Sequence, residues 1–158
     1  MKRLIFSLLA LVCIFTSFAG EREHLTINAG YLYPNSLNST IGFELETENG
    51  HAYEFFGELG DHWRTPVCHN FWKGYYWDGG AVYKHQLKRL KNGSFRVFGG
   101  AHCGAEQTHV FFGIRAGFEY NYVFKNNWQF TVTQLNTVNF LKGDLFRNGL
   151  MIGFKIPL

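Results

Sequence analysis

From Gly149 to Leu158 the chain alternates without a break. Leu150, Ile152, Phe154, Ile156 and Leu158 fall on one face, and Met151, Gly153 and Lys155 on the other. A period of two is the period of a β-strand, whose successive side chains point to opposite sides of the pleat. Glycine, lysine and proline within ten residues disfavour a helix. One face of the strand is wholly apolar, so it has to lie against something apolar, and that requirement constrains the rest of the chain.

Seven earlier runs share the pattern, and no segment after residue 20 sustains a helical period. The first spans Leu25 to Tyr33, with Leu25, Ile27, Ala29, Tyr31 and Tyr33 on one face. The second, Thr40 to Thr47, sets Ile41, Phe43 and Leu45 against Thr40, Gly42, Glu44 and Glu46. The third, Ala52 to Leu59, sets Tyr53, Phe55 and Leu59 against Glu54 and Glu58. The fourth, Tyr75 to Leu87, has an uncertain phase around Asp78-Gly79-Gly80. The fifth, Phe95 to Ala101, opposes Phe95, Val97 and Gly99 to Arg96, Phe98 and Gly100. The sixth, Phe112 to Tyr122, opposes six apolar or aromatic positions to Gly113, Arg115, Gly117, Glu119 and Asn121. The seventh, Trp128 to Val138, opposes Trp128, Phe130 and Val132 to Gln129, Thr131 and Thr133.

Asn49-Gly50 is the strongest hairpin signal, and Asn92-Gly93 and Asn126-Asn127 mark two further tight turns. The intervening connections read as longer and more varied, above all Asp61 to Lys73. Eight strands, short turns on one side, longer loops on the other and both termini on the turn side form the pattern of an outer-membrane barrel. The expected fold is therefore all-β: an eight-stranded antiparallel up-and-down transmembrane β-barrel. The lumen of such a barrel is just wide enough to be filled by side chains. Glu44, Glu46, Glu54, Glu58, Arg96, Arg115, Glu119 and Lys155 are then expected to form an interior charge network that plugs it. Tyr31, Tyr33, Tyr122 and Trp128 sit near run ends, where an aromatic girdle belongs. Alternation alone does not say which face is outside, so a soluble secreted barrel or sandwich competes. The apolar terminal strand, the loop asymmetry and the placement of Glu and Arg weigh against it.

At the other end, Met1-Lys2-Arg3 precedes an apolar run from Leu4 to Phe18, and Ser17-Phe18-Ala19 offers small residues for cleavage before Gly20. This is the form of a secretory signal peptide over residues 1–19, short for a helix spanning about 30 Å of hydrocarbon. Residues 20–158 form one barrel domain, expected in the bacterial outer membrane. Cleavage removes Lys2 and Arg3, so 15 basic residues become 13 against 12 acidic ones. That balance leaves no case for direct nucleic-acid binding. With 3 prolines and 18% aromatic residues, the chain is ordered rather than disordered. The expected partners are outer-membrane lipid and the barrel-assembly machinery, which reads the terminal strand.

Arg64-Thr65-Pro66-Val67, Asp78-Gly79-Gly80, Gly99-Gly100-Ala101 and Gly104-Ala105-Glu106 occur in that order, followed by Phe146 and Gly149 to Ile156. Over roughly residues 60 to 158 this order resembles the TraO proteins of Bacteroides-type conjugative transposons. The resemblance implies an outer-membrane component of a conjugative DNA-transfer apparatus. It also implies other apparatus proteins as partners and no catalytic residues.

Two cysteines, Cys68 and Cys103, remain after cleavage, each with histidines nearby (His62, His69, His102, His109). The spacing fits no zinc motif, and a disulfide between neighbouring outer loops is the simpler expectation. No metal or cofactor is expected. Two alternatives to a transfer component are a passive surface or adhesin barrel and a lipid A deacylase-like enzyme. The second would need a His two residues from a Ser on one strand face, so that imidazole can activate hydroxyl. No His in the chain has a Ser at that spacing, and Asn136 and Val138 occupy the corresponding region. The chain therefore reads as a non-enzyme, with Asp78 and Glu119 as members of the interior network.

Overall fold

The computed structural model describes residues 22–34, 36–62, 75–106, 109–140 and 145–158. Eight strands follow in order: β1 (Arg22–Tyr33), β2 (Ser36–Glu46), β3 (Ala52–His62), β4 (Tyr75–Leu90), β5 (Gly93–Glu106), β6 (His109–Val123), β7 (Gln129–Phe140) and β8 (Phe146–Pro157). Each pairs antiparallel with the next, and β1 pairs with β8 to close the barrel. Closure leaves no strand edge, so backbone donors and acceptors are satisfied within the sheet without water. The expected signal peptide lies outside the described residues.

The charge distribution is inverted relative to a water-soluble protein. Exposed positions along the outer face include Ile27, Ile41, Leu59, Ile114, Phe118, Leu150, Ile152 and Phe154. Buried positions include Glu44, Glu58, Lys84, Arg96, Arg115, Glu119 and Lys155, all inside the lumen. Large apolar groups facing out and charges facing in require an apolar solvent outside. Aromatic side chains gather near both ends of this belt: Tyr53 and Tyr83 at one, with ring centroids 5.1 Å apart, and Phe112 and Phe140 at the other, 5.3 Å apart.

The expected loop asymmetry is mostly absent. At the end that holds the strand termini Arg22 and Pro157, the connections are 47–51, 91–92 and 124–128. At the opposite end they are 34–35, 63–74, 107–108 and 141–145, so two of those four are two residues long. The reason is continued pairing. β5 and β6 remain in register up to Glu106 opposite His109, so residues read from the sequence as a connection belong to an extended hairpin. β4 also differs from expectation. Asp78-Gly79-Gly80 keeps its phase, and the irregularity is a register shift between Gln86 and Lys88.

Candidate functional site

Among the described residues the polar side chains concentrate in the lumen, which is packed in three levels. Near the 47–51 end, Glu44 is the centre of an ion cluster. The Nζ of Lys155 donates to both its oxygens at 2.7 and 2.6 Å and to Glu119 Oε1 at 2.7 Å. Lys84 reaches Glu44 at 2.7 Å and Glu54 at 2.9 Å and also donates to Glu119. Arg96 spans Glu44 and Glu46, both at 2.9 Å, and His24 lies 3.5 Å from Glu46. Thr26 donates to Glu54 at 2.6 Å, and Asn121 to Glu119 at 3.0 Å. Three permanent cations thus face four carboxylates, at an exposure of 5% or less for all but Glu54.

The middle level is apolar: Leu32, Phe56, Val82, Phe98, Leu135 and Met151 meet across the lumen. Glycines on adjacent strands make this possible. Leu32 pairs with Gly149, Met151 with Gly30, Val82 with Gly100 and Phe98 with Gly117. Each bulky group fills the space that its neighbour's missing side chain leaves, as close packing demands. Between this level and the ion cluster the residual cavity is about 30 Å³. That is room for about one water.

The third level lies toward the opposite end. Arg115 pairs with Glu58 and lies 4.0 Å above the Phe56 ring. Tyr76 donates to Glu58 at 3.0 Å, and Asn38 also donates to it. His102 Nδ1 is 3.1 Å from Asp78 Oδ2. Arg147 lies 3.7 Å from Glu106 and 4.3 Å from the Tyr76 ring. The geometry is that of a neutralised plug, with the carboxylates held by cations or hydrogen-bond donors.

All eight charged residues expected inside are inside. Six of them join the lower cluster, while Glu58 and Arg115 form a separate pair above. Sequence reasoning missed Lys84, His24, Glu106 and Arg147. Lys84 alternates in phase with Asp78 and Tyr76, a signal available once the two glycines are not taken as a break.

The cysteine expectation needs correction in its geometry. His102 and Cys103 lie within β5 rather than in a loop, and they point to opposite sides: His102 is buried against Asp78, Cys103 is exposed on the outer face. Cys103 carries a free thiol, and Cys68 and His69 lie outside the described residues. A disulfide between them therefore has no support in the described part of the barrel. His109 begins β6 at the rim. Among the described residues no cluster of His, Cys, Asp or Glu is arranged to hold a metal ion. Asn136 faces outward, beside Gln134 and not toward the lumen.

No family model matches the sequence, and no curated protein matches it. Among solved structures the barrel is similar to one described as "De novo design of transmembrane beta-barrels". The TM-score is 0.54 at 11% identity, and the match covers 88% of this chain and 97% of that chain. The fold is thus that of a small transmembrane β-barrel.

Proposed function

We propose that the chain is a sealed outer-membrane barrel serving as a structural component of a conjugative DNA-transfer apparatus. Residues 1–19 would act as the signal that sends it across the inner membrane. The observation that carries the structural part is the plug. Lumen side chains at three levels interlock, leaving about 30 Å³ between two of them, so the described residues leave no open bore across those levels. Its rigidity and apolar outer face suit it to anchor other proteins in the membrane, not to conduct.

The transfer role is supported by the sequence order shared with the TraO proteins, and the fold gives those residues a packing role. Gly80 lies beside His102, Gly100 beside Val82 and Gly104 beside Asp78, each pair opposite across β4 and β5. Glycines that admit a neighbour's side chain account for this order without any catalytic residue. The deacylase alternative is disfavoured because Asn136 and Val138 can act neither as base nor as nucleophile.

Deleting the gene tests the reading. Conjugative transfer frequency should fall while growth and lipid A acylation stay unchanged. Normal transfer with altered lipid A would overturn it in favour of the enzyme. Placement is tested separately by outer-membrane fractionation and by a gel of heated and unheated samples; recovery from the soluble periplasm would reject the membrane assignment.

A further inference from the structure

Carboxamides interrupt the apolar outer face at mid-barrel. Gln134 and Asn136 lie on consecutive outward positions of β7, whose outer row otherwise runs Phe130, Val132, Val138 and Phe140. They bond each other in a closed pair: Gln134 Nε2 donates to Asn136 Oδ1, and Asn136 Nδ2 to Gln134 Oε1, both at 3.1 Å. A longer contact of 3.5 Å runs from Asn136 Nδ2 to the Ala116 carbonyl. Asn148, outward and exposed on β8, is the direct cross-strand partner of Asn136. A carboxamide has two N–H donors and an oxygen with two lone pairs. The closed pair uses one donor and one acceptor of each group, leaving bonding capacity directed at lipid tails that cannot use it.

The surroundings are shaped for close approach. The cross-strand row through Asn136 runs Tyr83, Gly99, Ala116, Asn136, Asn148, Tyr33. Tyr83 belongs to the aromatic belt at one end of the barrel, and Tyr33 is the last residue of β1 at the other. The row therefore crosses the belt obliquely, with the small residues Gly99 and Ala116 next to the amides Asn136 and Asn148 and a tyrosine at each end. Phe118 and Ile114 stand on either side of it on β6, and Leu150 and Phe146 on β8. In membranes, small residues let backbones approach, and polar groups bridge the partners.

We propose that two copies of this chain associate in the membrane through the outer face of β6, β7 and β8, with Gln134 and Asn136 of one copy hydrogen-bonding their equivalents in the other. The patch is uncharged and presents both donors and acceptors, so the same patch on a second copy can pair with it, as across the two-fold axis of an isologous dimer. A charged partner would find no counter-charge there. The inference rests on the membrane placement proposed above.

The test uses the full chain in a Cys13→Ser, Cys68→Ser, Cys103→Ser background, in lipid vesicles. Val138→Cys, beside the patch, should cross-link to a dimer under mild oxidation, and Ile41→Cys, on β2, should not. Gln134→Leu with Asn136→Leu should keep the heat-dependent gel shift of a folded barrel. The same variant should weaken association at least tenfold in an energy-transfer dilution series. A folded wild-type protein that stays monomeric at every protein-to-lipid ratio overturns the dimer while leaving the membrane placement intact. So does equal cross-linking from both positions, or unchanged association of the double-leucine variant. Loss of the gel shift in the wild type would instead sink the membrane reading itself.

Discussion

The ring of Phe98 lies over Gly117, its direct partner across β5 and β6, so that a Cβ built on Gly117 would come 2.8 Å from Phe98 Cζ and 1.9 Å from the Gln134 carbonyl oxygen. The second contact is with backbone and has no rotamer to relieve it. The apolar level of the lumen therefore depends on an absent side chain as much as on present ones.

Gly117→Ala should consequently destabilise the barrel, by roughly 1–3 kcal/mol or more if the β6–β7 ladder has to shift. Gly57→Ala is the control. Gly57 faces outward, and a Cβ there meets nothing within 4 Å, so this change should be neutral or slightly stabilising. Urea unfolding midpoints in micelles read both. Equal midpoints for the two variants would show that the lumen does not hold Phe98 against β6.

Glu44 accepts from Lys155, Lys84 and Arg96 at once. Glu44→Gln would leave three buried cations with one carboxylate fewer, and breaking a buried ion pair by removing one partner costs about 3–5 kcal/mol. Lys155→Met added to Glu44→Gln should recover part of that loss, because it removes the cation whose ammonium contacts both Glu44 oxygens. A double variant less stable than the single one would contradict this centre of the plug.

The sequence carried the strand number and, for every strand but the fourth, which residues share a face, because alternation survives any detail of pairing; which face meets lipid had to come from the closed barrel. It did not carry the level of each residue within the lumen. Phe98 and Met151 alternate with Arg96 and Lys155, and nothing local says that the first two meet each other while the last two meet Glu44. That arrangement is set by the register between strands distant in sequence, such as β2 with β8 through a Lys155–Glu44 contact spanning 111 positions. Lys84 was obscured by two glycines that lack a side chain to mark a face. The β5–β6 hairpin was read as a connection because His102, Cys103 and Gly104 have no apolar alternation, although their pairing continues to Glu106.

Cys103 follows from that corrected placement. Its thiol is exposed on the outer face, beside Gly79 on β4 and Phe112 on β6. In protein purified without reductant, a small neutral maleimide should alkylate Cys103, and should do so faster than a charged reagent excluded from the apolar belt. A non-reduced digest containing Cys68 joined to Cys103 would refute the free thiol and restore the expected disulfide.

Ile152 tests the solvent outside. It is 54% exposed at the middle of β8, between Val132 on β7 and Ala29 on β1. An arginine on the lipid face of a barrel costs about 2–4 kcal/mol at the bilayer midplane and about 0–1 kcal/mol near the interface. Ile152→Arg should therefore lower folding stability in vesicles by the larger amount. Tyr33→Arg, at the exposed last position of β1, should lower it by the smaller one. If water rather than lipid surrounded the barrel, Ile152→Arg would place a charge on a wetted face, where such changes stay within about 0.5 kcal/mol. Equal, small effects at both positions would thus reject the membrane placement; a difference ordered by depth along the strand would fix the position of the midplane.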